Sequence, residues 1–429
     1  MYDRYQELYR LYSDFDVDTL RQYRDFVDLF PPVDSPLALE RWQEVETEME
    51  SRQSEIEEAF EAGEAFGELA AIATREQAFT ALDLYTKYDR MVDVLVADVD
   101  ETLRSAGGTD NEIPRETLHQ LTELHEAGLP IVVCTGQTLE NVKGFTIQGL
   151  GNELVHSGRL SIVYEGGSGV FTPGHGTETK QLLYEDLDAP IVDRFQTVRS
   201  SVMQRVPDGL RSRIHLQGNE FNVTVKPNEE TGSDRAAETI RRALPHLLRQ
   251  LGRTLPADDG YEHACEYYAR ADPEIAAALE AAGERAEASG ERAEAGENSD
   301  AETDPNQPDE IPEAVTDVLE RIDVAYYEAD AVEMTSRELN KVVGVRAAFD
   351  VLGIEDPFGL VLGDSKSDLR VMRWFEEDDL GIAAAPEHAS SQVLEHVRER
   401  DDLVFPRGGA DQILRMVRAM AEFDGMDSL

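Results

Sequence analysis

The feature that most constrains the fold of this chain is a short apolar run that ends in two carboxylates, residues 94–100 with the sequence VLVADVD. An apolar run bounded by polar residues is typical of a central parallel strand. Ligands of open α/β sheets bind beyond the carboxyl ends of such strands, so Asp98 and Asp100 are predicted to lie at the mouth of a site. An isolated Asp-x-Asp is more often a helix cap or a solvated turn, and the interpretation therefore depends on the rest of the chain.

Strand and helix patterns alternate along the chain after residue 93. An amphipathic helix is predicted over residues 114–127, and the apolar strand that follows, residues 129–134, runs into Thr135 and Gly136. The order strand, helix, strand predicts a parallel crossover. The second strand therefore also ends in polar residues that can face a ligand.

The same arrangement returns near the carboxyl end of the chain. Lys341 opens a predicted helix that ends at Gly353, and residues 358–363 form another apolar strand. This strand runs into a loop that contains Asp364 and Asp368. Once more, a predicted strand tip carries two carboxylates.

Four motifs therefore occur in a fixed order: Asp98-Val99-Asp100-Glu101-Thr102, Thr135-Gly136, Lys341, and Gly363-Asp364-Ser365-Lys366-Ser367-Asp368. This set resembles the motifs of the haloacid dehalogenase (HAD) superfamily of phosphotransferases, over residues 93 to about 420. The resemblance implies an α/β fold with a HAD-like Rossmannoid parallel sheet and an α+β cap inserted between the second and third motifs. The cap is placed as in subfamily IIB, which includes sucrose-phosphate and trehalose-phosphate phosphatases.

The resemblance also implies roles for individual residues. Asp98 is the nucleophile that forms an aspartyl-phosphate, and Asp100 is the acid that protonates the leaving group and then activates water. Thr135 and Lys341 hold the transferring phosphoryl oxygens. Further contacts to the substrate phosphate are implied for Thr102 and Gly136, whereas Lys366 either reaches the phosphate or is a solvated loop lysine. The implied cofactor is Mg²⁺, which prefers hard oxygen ligands, and its implied site consists of Asp98, the Asp100 backbone carbonyl, Asp364 and Asp368.

Two residues depart from the family pattern. Gln137 stands where the family often has an arginine, a change expected to alter substrate contacts or to weaken anion binding. Ser367 stands where an asparagine is usual, as it does in some trehalose-phosphate phosphatases. Neither departure removes a reacting group.

An acid at position 100 indicates a phosphatase or a mutase, because members of the superfamily that dehalogenate or transport ions lack it. The sequence therefore predicts a Mg²⁺-dependent phosphomonoesterase that acts on a small phosphorylated metabolite, such as a sugar phosphate. Two alternatives stay open: a phosphohexomutase, and a catalytically silent regulatory or scaffold protein that kept the fold.

The predicted domains follow from these patterns. Residues 1–90 read as helices throughout and form an N-terminal all-helical region, expected to pack against the main domain or a second subunit. The HAD core is predicted over residues 91–169 and 336–429, with the α+β cap over 170–335. Within the cap, about residues 283–311 are dense in Glu, Asp, Gly, Ser and Pro, so we expect a disordered acidic loop there.

The charged-residue composition limits the kinds of molecule that the protein can bind. The formal net charge is −48, from 88 acidic and 40 basic residues, and only six of the basic residues are lysines. Such a surface repels nucleic acid and anionic membranes. Acids spread along the entire chain, with few lysines, are typical of proteins from halophiles that accumulate salt, where ions screen the self-repulsion. An ordinary acidic protein with a disordered tail is the alternative.

The remaining expectations concern compartment and assembly. Cys134 and Cys265 cannot build a disulfide framework, and Cys134 lies within an apolar run, where a buried inert thiol is expected. The sequence shows no signal peptide and no run long enough to span a membrane, so we expect a cytoplasmic protein. The aromatic stripes of residues 1–90 are compatible with a homo-oligomer formed through these helices.

Overall fold

The structure is a computed structural model that describes residues 2–32, 35–104, 113–218, 221–289 and 311–427. The described strands are β1 Val94–Asp98, β2 Ile131–Cys134, β3 Leu160–Tyr164, β4 Gly169–Phe171, β5 Lys180–Gln181, β6 Ile214–Gln217, β7 Asn222–Pro227, β8 Ile322–Tyr327, β9 Ala331–Ser336, β10 Gly359–Leu362, β11 Gly381–Pro386 and β12 Leu403–Phe405.

The described α-helices are α1 Tyr2–Asp14, α2 Val17–Leu29, α3 Pro36–Glu57, α4 Gly63–Ile72, α5 Arg75–Tyr88, α6 Arg115–Glu126, α7 Leu139–Val155, α8 Ala189–Gln204, α9 Asp208–Arg211, α10 Asp234–Gly252, α11 Gly260–Ala271, α12 Pro273–Ser289, α13 Glu313–Leu319, α14 Lys341–Leu352, α15 Lys366–Glu377, α16 Ser391–Glu399 and α17 Ala410–Asp427. The chain divides into two compact units, one of Met1–Gln181 with Lys341–Leu429 and the other of Leu182–Asn340.

The first unit is built on an eight-stranded sheet in the order β12-β11-β10-β1-β2-β3-β4-β5. The six strands from β12 to β3 are parallel, and β4 and β5 continue the sheet antiparallel. Helices lie between the consecutive parallel strands in the chain, as parallel crossovers require. The predicted α/β class with a parallel-rich sheet is therefore confirmed.

Strand β1 lies near the centre of this sheet, between β10 and β2. All five of its residues are buried, which explains why the run reads as continuously apolar up to Asp98. Its neighbour β10 packs closely against β11, which is possible because Gly381 on β11 has no side chain. A Cβ at position 381, where φ is 150°, would lie 1.8 Å from the carbonyl oxygen of Gly359. A larger side chain at position 381 would push the two strands apart.

The N-terminal helices α1 to α5 belong to the first unit and share its core. Helix α17 packs against α4, α5 and α6, and buried side chains such as Leu69, Leu82 and Phe423 lie in one continuous apolar cluster. Two arginines of α17 add charged contacts at its edge: Arg415 Nη2 donates to an Asp25 carboxylate oxygen over 2.7 Å, and Arg418 Nη2 donates to a Glu68 carboxylate oxygen over 2.9 Å. The predicted all-helical region at the N-terminus is therefore confirmed.

The second unit is an α+β structure, as predicted. Its four-stranded sheet has the order β6-β7-β9-β8 and is antiparallel throughout. Helix α10 is capped by Ser233, whose hydroxyl oxygen accepts a hydrogen bond from the Ala236 backbone amide, and the apolar face of the helix covers the sheet. The core of this unit includes Phe195, Leu244 and Val332.

Three boundaries differ from the sequence prediction. The second unit ends at Asn340, five residues beyond the predicted end of the cap. The second unit begins at Leu182, because β4 and β5 pair with the first sheet and so extend it beyond residue 170. Helix α12 continues to Ser289, so the first residues of the segment predicted to be a disordered loop are helical. Alanine, glutamate and arginine, which favour helix, dominate the end of α12. Residues 290–310, which hold the rest of that loop, lie outside the described residues. Among the described helices, none combines the length and apolar character that a bilayer crossing requires.

Glu422, on α17, supports a prediction about stability and pH. Burial and the neighbouring Glu68 raise the pKa of Glu422 to about 7. A carboxyl whose pKa is raised by folding contributes stability at low pH that is lost as the pH rises through about 7. We therefore expect Glu422→Gln to raise the free energy of unfolding by about 1–2 kcal/mol at pH 8 and to change it little below pH 4.5.

Chemical denaturation at the two pH values, at one fixed KCl concentration, measures this difference. The exposed Glu395 on α16 provides the matched control, Glu395→Gln. A gain in stability of equal size at both pH values would contradict the assignment of the effect to ionised Glu422.

Candidate active site

The candidate site lies at the carboxyl edge of the parallel sheet, where β1 and β10 end side by side. Ala97 is paired with Leu362 in the register of the two strands, so Asp98 follows on β1 and Asp364 follows just beyond β10. Asp98 is 5% exposed, so its carboxylate ends a buried strand as the sequence predicted. The topology thus brings together two motifs that are far apart in the chain.

Lys341 lies at the centre of the site. It is the first residue of α14, and its Nζ donates to Asp98 Oδ1 over 2.6 Å and to Asp368 Oδ1 over 2.5 Å. The side chains of all three residues are at most 7% exposed, so this is a buried ion network. Lys341 therefore fixes the orientation of the Asp98 carboxylate and supplies a positive charge beside it.

Asp368 is held on both of its carboxylate oxygens. Oδ1 accepts from Lys341, and Oδ2 accepts from the backbone amide of Ser365 over 3.0 Å and from its hydroxyl over 2.6 Å, which caps the start of α15. Gly363 leaves room for this side chain, because a Cβ at position 363 would lie 2.3 Å from the Cβ of Asp368. Asp368 therefore anchors both the helix and the lysine.

Asp98, Asp364 and Asp368 form a group that fits a divalent cation. One carboxylate oxygen from each lies within 4.8 Å of the other two. These are hard oxygen donors of the kind that Mg²⁺ prefers, and their spacing suits shared coordination. The Asp100 side chain does not belong to this group, although its backbone carbonyl was predicted as a further ligand.

The charges of the site also favour a cation. With all groups ionised, three carboxylates and one ammonium give a formal net charge of −2 in a buried setting. Burial raises the pKa of Asp98 well above its usual range, against the attraction of Lys341. Burial and the repulsion of Asp368 raise the pKa of Asp364 to about 7. Excess negative charge without water is costly, and a bound cation removes that cost.

The ammonium of Lys341 stays protonated in this setting. Burial alone would lower its pKa, but the carboxylates of Asp368 and Asp98 outweigh burial and raise the pKa well above its usual value. The nearby thiol of Cys134 stays neutral, because burial raises its pKa. The structure therefore agrees with a charged lysine and an inert cysteine at this edge of the sheet.

The other predicted site residues lie on the loops that follow β1 and β2 and at the start of α15. Thr135 is fully buried, and its hydroxyl oxygen accepts a hydrogen bond from the backbone amide of Gln137 over 3.0 Å. Gly136 is exposed, with open space where a side chain would stand. The Thr102 hydroxyl is buried and has no hydrogen-bond partner among the described residues, so it can bind an added ligand or water. Lys366 is the half-buried first residue of α15.

Asp100 makes contacts that the sequence did not reveal. Its Oδ1 accepts from Arg104 Nε over 2.9 Å and from Arg104 Nη2 over 2.6 Å. The amide Nε2 of Gln137 lies 2.9 Å from Oδ1 and 2.7 Å from Oδ2. Gln137, noted in the sequence as a departure from the family pattern, thus contacts the predicted acid.

Sequence reasoning also missed two other features of the site. Arg104 lies two residues after the end of the first motif, and a positive charge so close to two aspartates was the signal that could have identified it. Glu101 has a φ of 60°, unusual for a residue with a side chain, and its carboxylate lies 3.1 Å from His388 Nε2. No sequence signal connects His388 to the first motif, because the two are joined only by the fold.

Comparisons with known proteins found similarity in structure. No family model matches the chain, and no curated protein sequence matches it. A trehalose-6-phosphate phosphatase from Aspergillus fumigatus aligns at 12% identity over 78% of this chain and 97% of its own, with a TM-score of 0.42. A haloacid dehalogenase-like hydrolase from Bacteroides thetaiotaomicron aligns at 13% identity over 76% and 98%, with a TM-score of 0.41. Another from B. subtilis aligns at 15% identity over 76% and 99%, with a TM-score of 0.40. At such TM-scores, the function has to be inferred from the site itself.

Proposed function

We propose that this chain is a Mg²⁺-dependent phosphomonoesterase with HAD-type chemistry, acting on a small phosphorylated metabolite such as a sugar phosphate. The observation that carries the proposal is the contact of one buried ammonium, Lys341, with the carboxylates of Asp98 and Asp368, beside Asp364. A structural ion pair would not need the third acid, whereas a phosphoryl-transfer site needs a nucleophile, a cation site and a fixed positive charge together.

Each residue of the site has its own role in the proposed reaction. Asp98 attacks phosphorus through a carboxylate oxygen, and the bond from phosphorus to the leaving oxygen breaks as Asp100 donates a proton to that oxygen, which leaves an aspartyl-phosphate and the free alcohol. Lys341 stays charged and stabilises the phosphoryl oxygens in the transition state, and the Thr135 and Thr102 hydroxyls are suited to bind the same oxygens. Water then attacks phosphorus, and Asp100 accepts its proton as the bond to Asp98 breaks.

The donors suited to the cation are Asp98, Asp364 and Asp368. When bound, Mg²⁺ offsets the charge of the incoming phosphate, which the net negative site would otherwise repel. Further contacts from Gly136 and Lys366 to the substrate phosphate are part of this proposal.

The proposed partners follow from charge and exposure. A net charge of −48 disfavours nucleic acid and anionic membranes, and we propose a protein of the cytoplasm of a halophile. Exposed large apolar side chains are concentrated in α1 to α3 and their ends; among the described residues they are Tyr9, Phe26, Phe30, Leu37 and Leu39, with Val404 the exception elsewhere. A homo-oligomer formed through the N-terminal helices stays a prediction.

Phosphate release from a panel of phosphorylated metabolites, in molar KCl with and without Mg²⁺, tests the proposal. We expect release that requires the cation and is lost on chelation. Conversion of one sugar phosphate isomer to another, with little net release, would instead indicate a phosphohexomutase. Absence of both activities across the panel would contradict an enzyme and favour a scaffold.

A further inference from the structure

Helices α8 and α10 of the second unit carry a concentration of arginine that contrasts with the rest of this acidic chain. Residues 194–207 and 239–257 contain no aspartate or glutamate, although acids make up 88 of the 429 residues. The same two segments hold seven arginines. A chain that spreads negative charge over most of its length therefore has a positive region on one pair of helices.

The two helices lie side by side and run in opposite directions. Arg194 Nη1, in the first half of α8, donates to the carbonyl oxygen of Thr254, just beyond the end of α10, over 2.7 Å. His246 Nε2, in the second half of α10, lies 2.8 Å from the carbonyl oxygen of Val202, near the end of α8. Long side chains on a helix lean toward its N-terminus, so arginines near the C-terminal ends of antiparallel neighbours lean toward each other.

Three arginines lie where this geometry brings charge together. Arg205 directly follows α8, Arg253 directly follows α10, and Arg249 lies one turn before Arg253. The guanidinium carbon of Arg249 is 4.6 Å from the centroid of the Tyr261 ring, and Arg253 Nη1 donates to Gln250 Oε1 over 2.7 Å. Contacts with a ring and an amide orient a guanidinium without neutralising its charge.

These three arginines differ from other helical arginines of the chain, several of which pair with an acid one turn away, as Arg52 does with Glu48 over 3.0 Å. Among the described residues, no carboxylate forms an ion pair with Arg205, Arg249 or Arg253. Burial, together with the charges of Arg205 and Arg249, lowers the pKa of Arg253. Like charges grouped in this way repel, and a bound anion would turn the repulsion into attraction.

Attraction to the helix dipole accounts for only part of this arrangement. Cations are favoured at the C-terminal end of a helix, and each of the three arginines lies at or near such an end. That gain comes from the arginine's own helix, so it gives no reason for charges of two helices to lie within reach of one another. An anion shared between the helices accounts for both observations.

We propose that Arg205, Arg249 and Arg253, here called the arginine site, bind a phosphate group, either as inorganic phosphate or as part of a phosphorylated metabolite. The planar fork of a guanidinium matches two oxygens of a phosphate, and a phosphate group carries close to two negative charges at pH 8. A carboxylate carries only one and gains less from three cations. The arginine site uses no residue of the candidate active site and does not depend on the proposed activity.

Calorimetric titration of the whole chain tests the arginine site, at pH 8 with a chelator in place of Mg²⁺ and at the lowest KCl concentration that keeps the protein folded. Without a cation, the candidate active site has a formal charge of −2 and repels anions. The probes are inorganic phosphate and glycerol phosphate, with acetate as the carboxylate for comparison.

The variants are Arg249→Gln and Arg253→Gln. The matched control is Arg270→Gln, which removes the same charge from an exposed arginine of the same unit that is already paired with Glu266. Circular dichroism checks folding, and the exposed Arg205 supplies a third variant, Arg205→Gln, if another does not fold.

We expect phosphate to bind more tightly than acetate, and each variant to weaken phosphate binding by at least about tenfold, because hydrogen bonds between charged partners are the strong ones. The control should keep the wild-type affinity. Phosphate should also raise the melting temperature of the wild type more than that of the variants. Binding of both probes would indicate a phosphorylated metabolite as the ligand, and binding of inorganic phosphate alone would indicate the free ion.

The proposal is overturned if the wild type binds neither phosphate probe, or if acetate binds as tightly as phosphate. It is also overturned if the folded variants keep the wild-type affinity, since the anion would then bind elsewhere in the protein. Lower stability of the variants with unchanged phosphate affinity would assign these arginines to the helix dipoles alone.

Discussion

Replacing Asp98 by asparagine is expected to lower phosphate release by on the order of 10⁴-fold or more while leaving the protein folded. The amide has the shape of the carboxylate but is a poor nucleophile, so no aspartyl-phosphate can form. The change also reduces the formal negative charge of the site from −2 to −1, since Asp98 is one of the three carboxylates grouped beside Lys341. We therefore expect unchanged or slightly higher stability without Mg²⁺, together with weaker Mg²⁺ binding.

Three measurements check this result. Steady-state phosphate release gives the loss of activity, acid quench with mass spectrometry tests for a phosphoryl adduct on residue 98, and calorimetry gives the Mg²⁺ affinity. The control is Asp356→Asn, because the side chain of Asp356 is 85% exposed and Asp356 is not one of the residues of the candidate site. Retention of more than about a tenth of the activity by Asp98→Asn would exclude Asp98 as the nucleophile.

Replacing Lys341 by methionine is expected to destabilise the protein by about 3–5 kcal/mol at pH 8, because it leaves two buried carboxylates without their cation. Asp98 and Asp368 both accept a hydrogen bond from Lys341 Nζ, and their side chains are 7% and 3% exposed. The loss should become smaller toward pH 5, because burial raises the pKa of Asp98 and the unpaired carboxyl can then take up a proton. It should also become smaller in Mg²⁺, which can replace part of the missing positive charge.

Denaturation curves at pH 8 and pH 5, each with and without Mg²⁺, measure these effects. Lys180→Met is the matched control, because Lys180 is exposed on β5 and should have almost no effect. Activity should be lost even where Mg²⁺ restores stability, since the cation does not replace the fixed donor to the phosphoryl group. Equal stability of Lys341→Met and Lys180→Met at pH 8 would contradict the buried network.

The parts of the fold that sequence could predict are those with a strong local pattern. The apolar runs at β1, β2 and β10 and the helices α6 and α14 were expected close to their observed bounds. The start of the second unit was less predictable, because β4 and β5 are short and their pairing with β3 is antiparallel. The end of α12 was missed, since acidic composition was weighed above the helix propensity of alanine and glutamate.

In the candidate site, the sequence predicted which residues are present better than it predicted which residues contact one another. The sequence placed Asp98 at the end of a strand and Lys341 at the start of a helix, where the structure has them, whereas Asp368, predicted on a loop, lies in the first turn of α15. Nothing local shows that Arg104 and Gln137 would share Asp100, because that contact depends on how two loops meet at the sheet edge. The chemical nature of a single residue can be read from the sequence, whereas the contact between Asp100 and Gln137, which are 37 residues apart, depends on the fold.

The central position of β1 has a consequence for how the chain folds. One neighbour, β2, follows β1 closely in the chain, but the other, β10, arrives only after the entire second unit has been made. Lys341 and Asp98 are likewise 243 residues apart. During synthesis, one side of β1 therefore stays an open strand edge for most of the chain's elongation, and such edges invite misassociation. Assembly of the site should be among the last events of folding, and slow refolding with dependence on chaperones is the expected behaviour.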